Sequence, residues 1–112
     1  MKFKTKELKE VTVIELKGNV MGGPDATELN QELHKQIDSG RKKFVVDLSE
    51  VKFINSSGLG MLIGGLSTVR NAGGELRIAA ATKKIENLLI VTKLNTVFSS
   101  FKTTKEAINS YK

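Results

Sequence analysis

The chain has no cysteine and no tryptophan, and it has only one proline, one histidine and one tyrosine. Without cysteine it can form neither a disulfide framework nor a thiolate metal site, which fits a reducing cytoplasm. The single histidine and the scattered carboxylates give no spacing typical of a metal site. We therefore expect no metal and no cofactor, and a cytoplasmic location.

Long apolar segments are also missing. The basic N-terminus, Met1 to Lys6, is not followed by the apolar region of a signal peptide. No stretch approaches the ~20 apolar residues that cross a bilayer, so we expect no membrane partner. The length of 112 residues fits a single domain over residues 1–112, which can bury an ordinary core without disulfides or metals.

The charge is positive, with 18 basic and 12 acidic residues and a formal net charge of +6. Such a balance suits nucleic acid, an anionic membrane or an acidic protein. The basic residues are scattered, arginine is scarce and aromatic residues for base stacking are few. Gly22-Gly23 also lacks the Gly-Lys-Ser/Thr of a phosphate loop. We interpret most of this charge as solvated surface and keep a nucleic-acid or nucleotide-binding domain as an alternative.

Hydropathy periodicity predicts strands that alternate with helices. Each connection is long enough for a parallel, right-handed β-α-β unit, so the expected fold class is α/β. The expected elements are an antiparallel pair within residues 2–17 that ends at 18–19, a helix from Pro24 to 39–40, a strand over 44–48, a helix over 57–71, a strand over 75–80, a helix capped by Thr82, a brief strand at 97–98 and a last helix capped by Thr103.

The segment from Asp47 to Gly60 is the most informative part of the chain. A buried strand is expected to end there, a short loop to follow, and Ser56 and Ser57 to begin the next helix. A serine at a helix start can cap it, which stabilises the helix by ~1 kcal/mol. The same free N–H groups and the helix dipole favour a phosphate, and a phosphoserine adds nearly two negative charges. Residue type alone leaves both roles open.

A catalytic role for these serines is not supported by the rest of the sequence. A serine nucleophile needs a base within hydrogen-bond reach, and His34, on the polar side of the first predicted helix, is the only histidine. No glycine stands two residues before either serine, as a nucleophile elbow requires. We therefore predict no catalytic residue and no enzymatic activity.

The motif Phe53-Ile54-Asn55-Ser56-Ser57-Gly58-Leu59-Gly60 resembles that of STAS domains, the small α/β modules of bacterial anti-sigma factor antagonists. The elements on both sides agree as well, so the resemblance covers nearly the whole chain. It implies the STAS fold, a small mixed sheet of four to five strands with about four helices.

The resemblance also implies a partner-switching function. Such antagonists bind an anti-sigma factor that is also a serine kinase, and this releases a sigma factor. The kinase phosphorylates the first serine of the motif, here Ser56, and a serine phosphatase resets the switch. The implied partner-binding residues are Met21, Gly22, Gly23, Pro24, Asn55, Ser56, Ser57 and Gly58.

Two residues depart from the family pattern. Asn55 stands where an aspartate usually precedes the phosphorylated serine, and Met21 stands where many antagonists have the aspartate of a Gly-x-x-Asp pattern. Both changes remove negative charge near the acceptor hydroxyl. They allow a second interpretation, a STAS interaction module that is not phosphorylated and controls a phosphatase or another signalling partner. The sequence leaves a monomer or a weak dimer open, since a sheet edge can pair with another copy.

Overall fold

The computed structural model describes residues 1–112. A single turn of 3-10 helix, Leu94–Thr96, precedes the last strand. The other elements, in chain order, are β1 (Lys2–Glu7), β2 (Val11–Val20), α1 (Pro24–Asp38), β3 (Lys43–Ile54), α2 (Ser56–Asn71), β4 (Glu75–Ala79), α3 (Lys83–Val91), β5 (Ser100–Phe101) and α4 (Thr104–Asn109).

The five strands form one sheet in the order β1-β2-β3-β4-β5. β1 is antiparallel to β2, and every other pair is parallel. This confirms the predicted α/β class with a small mixed sheet and four helices. Because β2, β3 and β4 are parallel, their carboxyl ends lie at one edge of the sheet, where the connections to α1, α2 and α3 begin.

Apolar side chains cover both faces of the sheet. On one face, α1, α2 and α3 bury a cluster of 20 residues that includes Leu33, Leu62 and Ile85. On the other face, α4 places Ala107 against Val45 in a cluster of five residues. Burying each large aliphatic side chain stabilises the fold by ~1.5–3 kcal/mol. β3 is apolar on both faces, as a central parallel strand should be.

Three predicted boundaries were wrong. β2 continues past Gly18-Asn19 to Val20, because Gly18 takes a φ of +87° at an irregularity in the pairing with β3. β3 continues through the expected loop to Ile54, because Val51 and Ile54 turn into the core. The last strand lies at 100–101 instead of 97–98, since Phe98 is a core residue of the preceding connection.

The helix starts follow the sequence closely. Pro24 occupies the first turn of α1, as predicted. The Oγ1 atom of Thr82 accepts a hydrogen bond from the Ile85 N–H at the start of α3, and that of Thr103 accepts one from the Glu106 N–H at the start of α4. None of the helices has both the length and the apolar character needed to span a membrane.

Candidate functional site

Asn55 caps α2. Its backbone is extended, with φ −94° and ψ −179°, and its Oδ1 accepts a hydrogen bond from the Gly58 N–H at 2.7 Å. The capping role expected of a serine therefore belongs to Asn55, which was missed because asparagine and serine cap helices equally well. The serines that follow are free of this structural task.

Ser56 and Ser57 are the first two residues of α2, and both are exposed. Asn55, not either serine, supplies the side-chain acceptor of the first turn. No acidic residue lies in the first turn of this helix. The positive end of the helix dipole there favours an anion, and no carboxylate of the same turn repels one.

The two serines differ in their surroundings. A Cβ atom built on Gly22 would lie 2.6 Å from the Cβ of Ser57, so the β2–α1 connection lies directly against Ser57. Ser57 also lines a groove between α1 and α2, whereas Ser56 does not. Gly22 therefore crowds the Cβ of Ser57 on one side, while the groove leaves space beside it on the other.

The segment Met21–Pro24 reaches this site through two glycines with positive φ. Gly22 and Gly23 take φ values of +80° and +56°, in the region that glycine enters without strain. The Oδ2 atom of Asp25 accepts a hydrogen bond from the Met21 N–H at 3.2 Å and steadies the turn. Met21 itself is 44% exposed.

Val20 and Gly58 join the two parts of the site. The Val20 carbonyl accepts a hydrogen bond from the Asn55 N–H at 3.3 Å. A Cβ atom on Gly58 would lie 2.0 Å from that same oxygen, so only glycine fits. The structure therefore brings the two predicted partner-binding stretches together, and we name residues 21–24 with 55–58 the serine site. Within it Gly22 and Gly58 are buried and shape the surface, while the other residues are exposed or half-buried.

The groove between α1 and α2 has a volume of about 640 Å³. Gly65 faces Leu33, where a Cβ atom would meet Leu33 Cδ1 at 3.1 Å, so this glycine serves packing within the fold. Gly60 and Gly64 face the groove, and a Cβ on either meets no atom within 4 Å. The groove was not predicted from the sequence, although the spacing of Gly60 and Gly64 on one helix was the signal for it.

Titratable groups with shifted pKa values lie outside the serine site. A hydrogen bond to Glu15 raises the pKa of Lys6, with 2.9 Å between the Lys6 Nζ and the Glu15 Oε1. Burial raises the pKa of Tyr111 to about 12. His34 is exposed on α1 and does not line the groove beside Ser57. The serine site therefore holds no histidine base for the serines.

Comparisons with known proteins point to one protein family. The STAS domain family model matches residues 2–107. A candidate anti-sigma factor antagonist from Thermotoga neapolitana is 28% identical over 72 residues, which make up 64% of this chain and 64% of that protein. The match thus spans slightly less than two thirds of the relative.

Solved structures share the fold. The crystal structure of a candidate anti-sigma factor antagonist from Thermotoga maritima has a TM-score of 0.85 and 22% identity, covering 96% of this chain and 92% of that one. The Bacillus protein SpoIIAA in its phosphorylated form has a TM-score of 0.75 and 18% identity, covering 99% of this chain and 100% of that one.

Proposed function

Because the chain belongs to the STAS domain family, we propose that it is an anti-sigma factor antagonist. In this proposal it is a regulatory binding protein that docks on an anti-sigma factor through the serine site and thereby releases a sigma factor. The anti-sigma factor is a serine kinase that phosphorylates Ser56, and a serine phosphatase removes the phosphate.

The position of Ser56 carries the proposal. It is an exposed serine at the first position of α2, next to a cap that Asn55 supplies instead. A phosphoryl group transferred from ATP to the Ser56 Oγ breaks no capping hydrogen bond, because Asn55 makes that bond. The helix dipole favours its negative charge. The names of similar proteins support this assignment, since one is an anti-sigma factor antagonist solved in both unphosphorylated and phosphorylated forms.

The phosphate acts on the complex by charge. The first turn of α2 has no acidic residue. A phosphoserine there adds nearly two negative charges to the surface. A partner that docks there in the unphosphorylated state then has to bury those charges, which is costly without new cationic partners. Phosphorylation therefore weakens the complex, and hydrolysis by the phosphatase restores it.

The first test uses mass spectrometry. The protein is incubated with the candidate anti-sigma kinases of its organism and Mg-ATP, beside Ser56→Ala and Ser57→Ala. We expect one added phosphate on the wild type and on Ser57→Ala, and none on Ser56→Ala. Phosphate on Ser57 instead of Ser56 would contradict the assignment of Ser56 as the phosphorylated residue.

The second test is a binding titration against the same kinases. Ser56→Asp should lower the affinity at least tenfold, or by ~1.4 kcal/mol, because it adds a charge. The asparagine of Ser56→Asn has nearly the same shape as the aspartate of Ser56→Asp but no charge. This variant should bind within about twofold of the wild type. Tight binding with no phosphorylation would favour the second interpretation, an interaction module outside kinase control, with Asn55 and Met21 as its distinguishing residues.

A further inference from the structure

A second groove lies beside the serine site, between the end of β3 and α3. We infer that it receives an apolar side chain of the same partner protein, with a partner carboxylate placed to pair with Lys84. This inference rests on the proposed function, because it extends the surface on which the anti-sigma factor docks.

Most of the residues that line this groove are apolar. It has a volume of about 270 Å³, and its lining includes Phe53, Ile54, Leu88 and Val91. Phe53 is 40% exposed and Val91 is 79% exposed, although both are large apolar residues. The exposed parts of Phe53 and Val91 thus give the groove apolar surface that a partner side chain would bury.

The charge at the groove indicates what the partner offers. Lys84 is the only charged residue in the lining, and its Nζ lies 5.5 Å from the centre of the Phe53 ring. The ammonium group therefore stands at the edge of an apolar cleft, where an approaching carboxylate would be attracted. An aliphatic or aromatic side chain next to an aspartate or glutamate matches both features.

The same charge argues against a second copy of this chain as the occupant. Each copy would bring its own Lys84 to the contact, and each copy as a whole carries a formal net charge of +6. Like charges brought together at an interface reduce affinity. A partner with an acidic docking surface suits the groove better.

Ile54 lies between the groove and the serine site. It is one of the residues that line the groove although it is only 3% exposed, and its Cγ2 atom lies 3.0 Å from where a Cβ atom of Gly58 would be. Asn55, which caps α2, is the next residue along the chain. A single partner that covers Ser56 is therefore placed to reach Phe53 and α3 as well.

The test is a binding titration of the wild type, Val91→Glu, Lys84→Glu and Ile90→Glu against the candidate anti-sigma kinases. Ile90 is the matched control, since it is 58% exposed on α3 but does not line the groove. We expect both groove variants to bind at least tenfold more weakly and Ile90→Glu to stay within about twofold of the wild type. The loss for Lys84→Glu should shrink as salt is raised, because salt screens exposed charges.

The outcomes separate this inference from the proposed function. If the wild type binds and Ser56→Asp weakens it, but both groove variants bind like Ile90→Glu, the groove is not part of the interface. If the wild type binds no such kinase, the proposed function fails and this inference with it. Sedimentation of the free protein provides the remaining check. A wild-type dimer that Val91→Glu converts to a monomer would assign the groove to a second copy and overturn the inference.

Discussion

Gly58 and Gly60 lie two residues apart in α2, yet their surroundings are opposite. A Cβ atom on Gly58 would lie 2.0 Å from the Val20 carbonyl oxygen, whereas one on Gly60 would meet nothing within 4 Å. We expect Gly58→Ala to lower the free energy of unfolding by ~1–3 kcal/mol, because a backbone oxygen has to move. Gly60→Ala should raise it by up to ~1 kcal/mol, since alanine favours the helix.

Urea denaturation of the two glycine variants and the wild type measures this difference. The pair is its own control, because both variants add one methyl group to the same helix. Equal effects of the two substitutions would contradict the close contact between α2 and the end of β2.

Asn55 offers a second prediction at the scale of one residue. Asn55→Ala removes the acceptor for the Gly58 N–H and should lower the free energy of unfolding by ~0.5–2 kcal/mol. Asn55→Asp keeps an acceptor and adds a negative charge at the positive end of α2, so it should be at least as stable as the wild type. Asn71→Ala, at the exposed end of the same helix, should change stability by less than ~0.5 kcal/mol. A large loss in Asn55→Asp would contradict the capping role.

At the scale of single elements, Tyr111, two residues after the end of α4, ties this helix to the sheet. The Tyr111 hydroxyl lies 2.7 Å from the Phe44 carbonyl oxygen and 2.9 Å from that of Glu75, so its proton is shared between β3 and β4. The Arg77 guanidinium lies 4.0 Å from the centre of the Tyr111 ring. Tyr111→Phe should therefore lower the free energy of unfolding by ~0.5–1.5 kcal/mol at pH 9.

The raised pKa of Tyr111 predicts how this effect depends on pH. The folded value is about 12 and the ordinary value is 10.0, and burial is the main cause. Below pH 10 the phenol is neutral in both states, so its contribution is fully present. As the pH rises from 10 towards 12, the unfolded chain loses the proton first and stability falls. Tyr111→Phe lacks this loss, so the stability difference between the two proteins should be smaller at pH 11 than at pH 9. An unchanged difference would contradict the burial of the hydroxyl.

The order of the elements could be predicted from sequence, whereas the end of β3 could not. From Asp47 to Glu50, β3 advances by three residues, while its partner β2 advances by two, from Glu15 to Lys17. A second irregularity in the pairing follows at Gly18. The extra residues break the period of two by which strands are recognised. The sequence pattern of the second half of β3 therefore predicted a loop, although this part of the strand pairs with β2 as far as Ile54.

In the candidate site, too, some features could be predicted from the sequence and others could not. Its two stretches were expected from the resemblance to STAS domains, and the structure places them side by side because connections that leave the ends of adjacent parallel strands meet at one sheet edge. Their role in partner binding stays a prediction. The capping residue could not be predicted, since Asn55, Ser56 and Ser57 are three consecutive residues that all cap helices well. The groove beside Phe53 also escaped prediction, because it depends on where α3 packs against the end of β3.

At the scale of the whole molecule, the position of the cap bears on protein turnover. Since Asn55 binds the Gly58 N–H, a group added to Ser56 removes no hydrogen bond from the folded state. Because the dipole of α2 also favours a negative group there, the fraction of unfolded molecules, on which proteases act, does not rise on modification. If Ser56 is phosphorylated as proposed, a cell can cycle one pool of this protein through many rounds of signalling without faster degradation of the modified form.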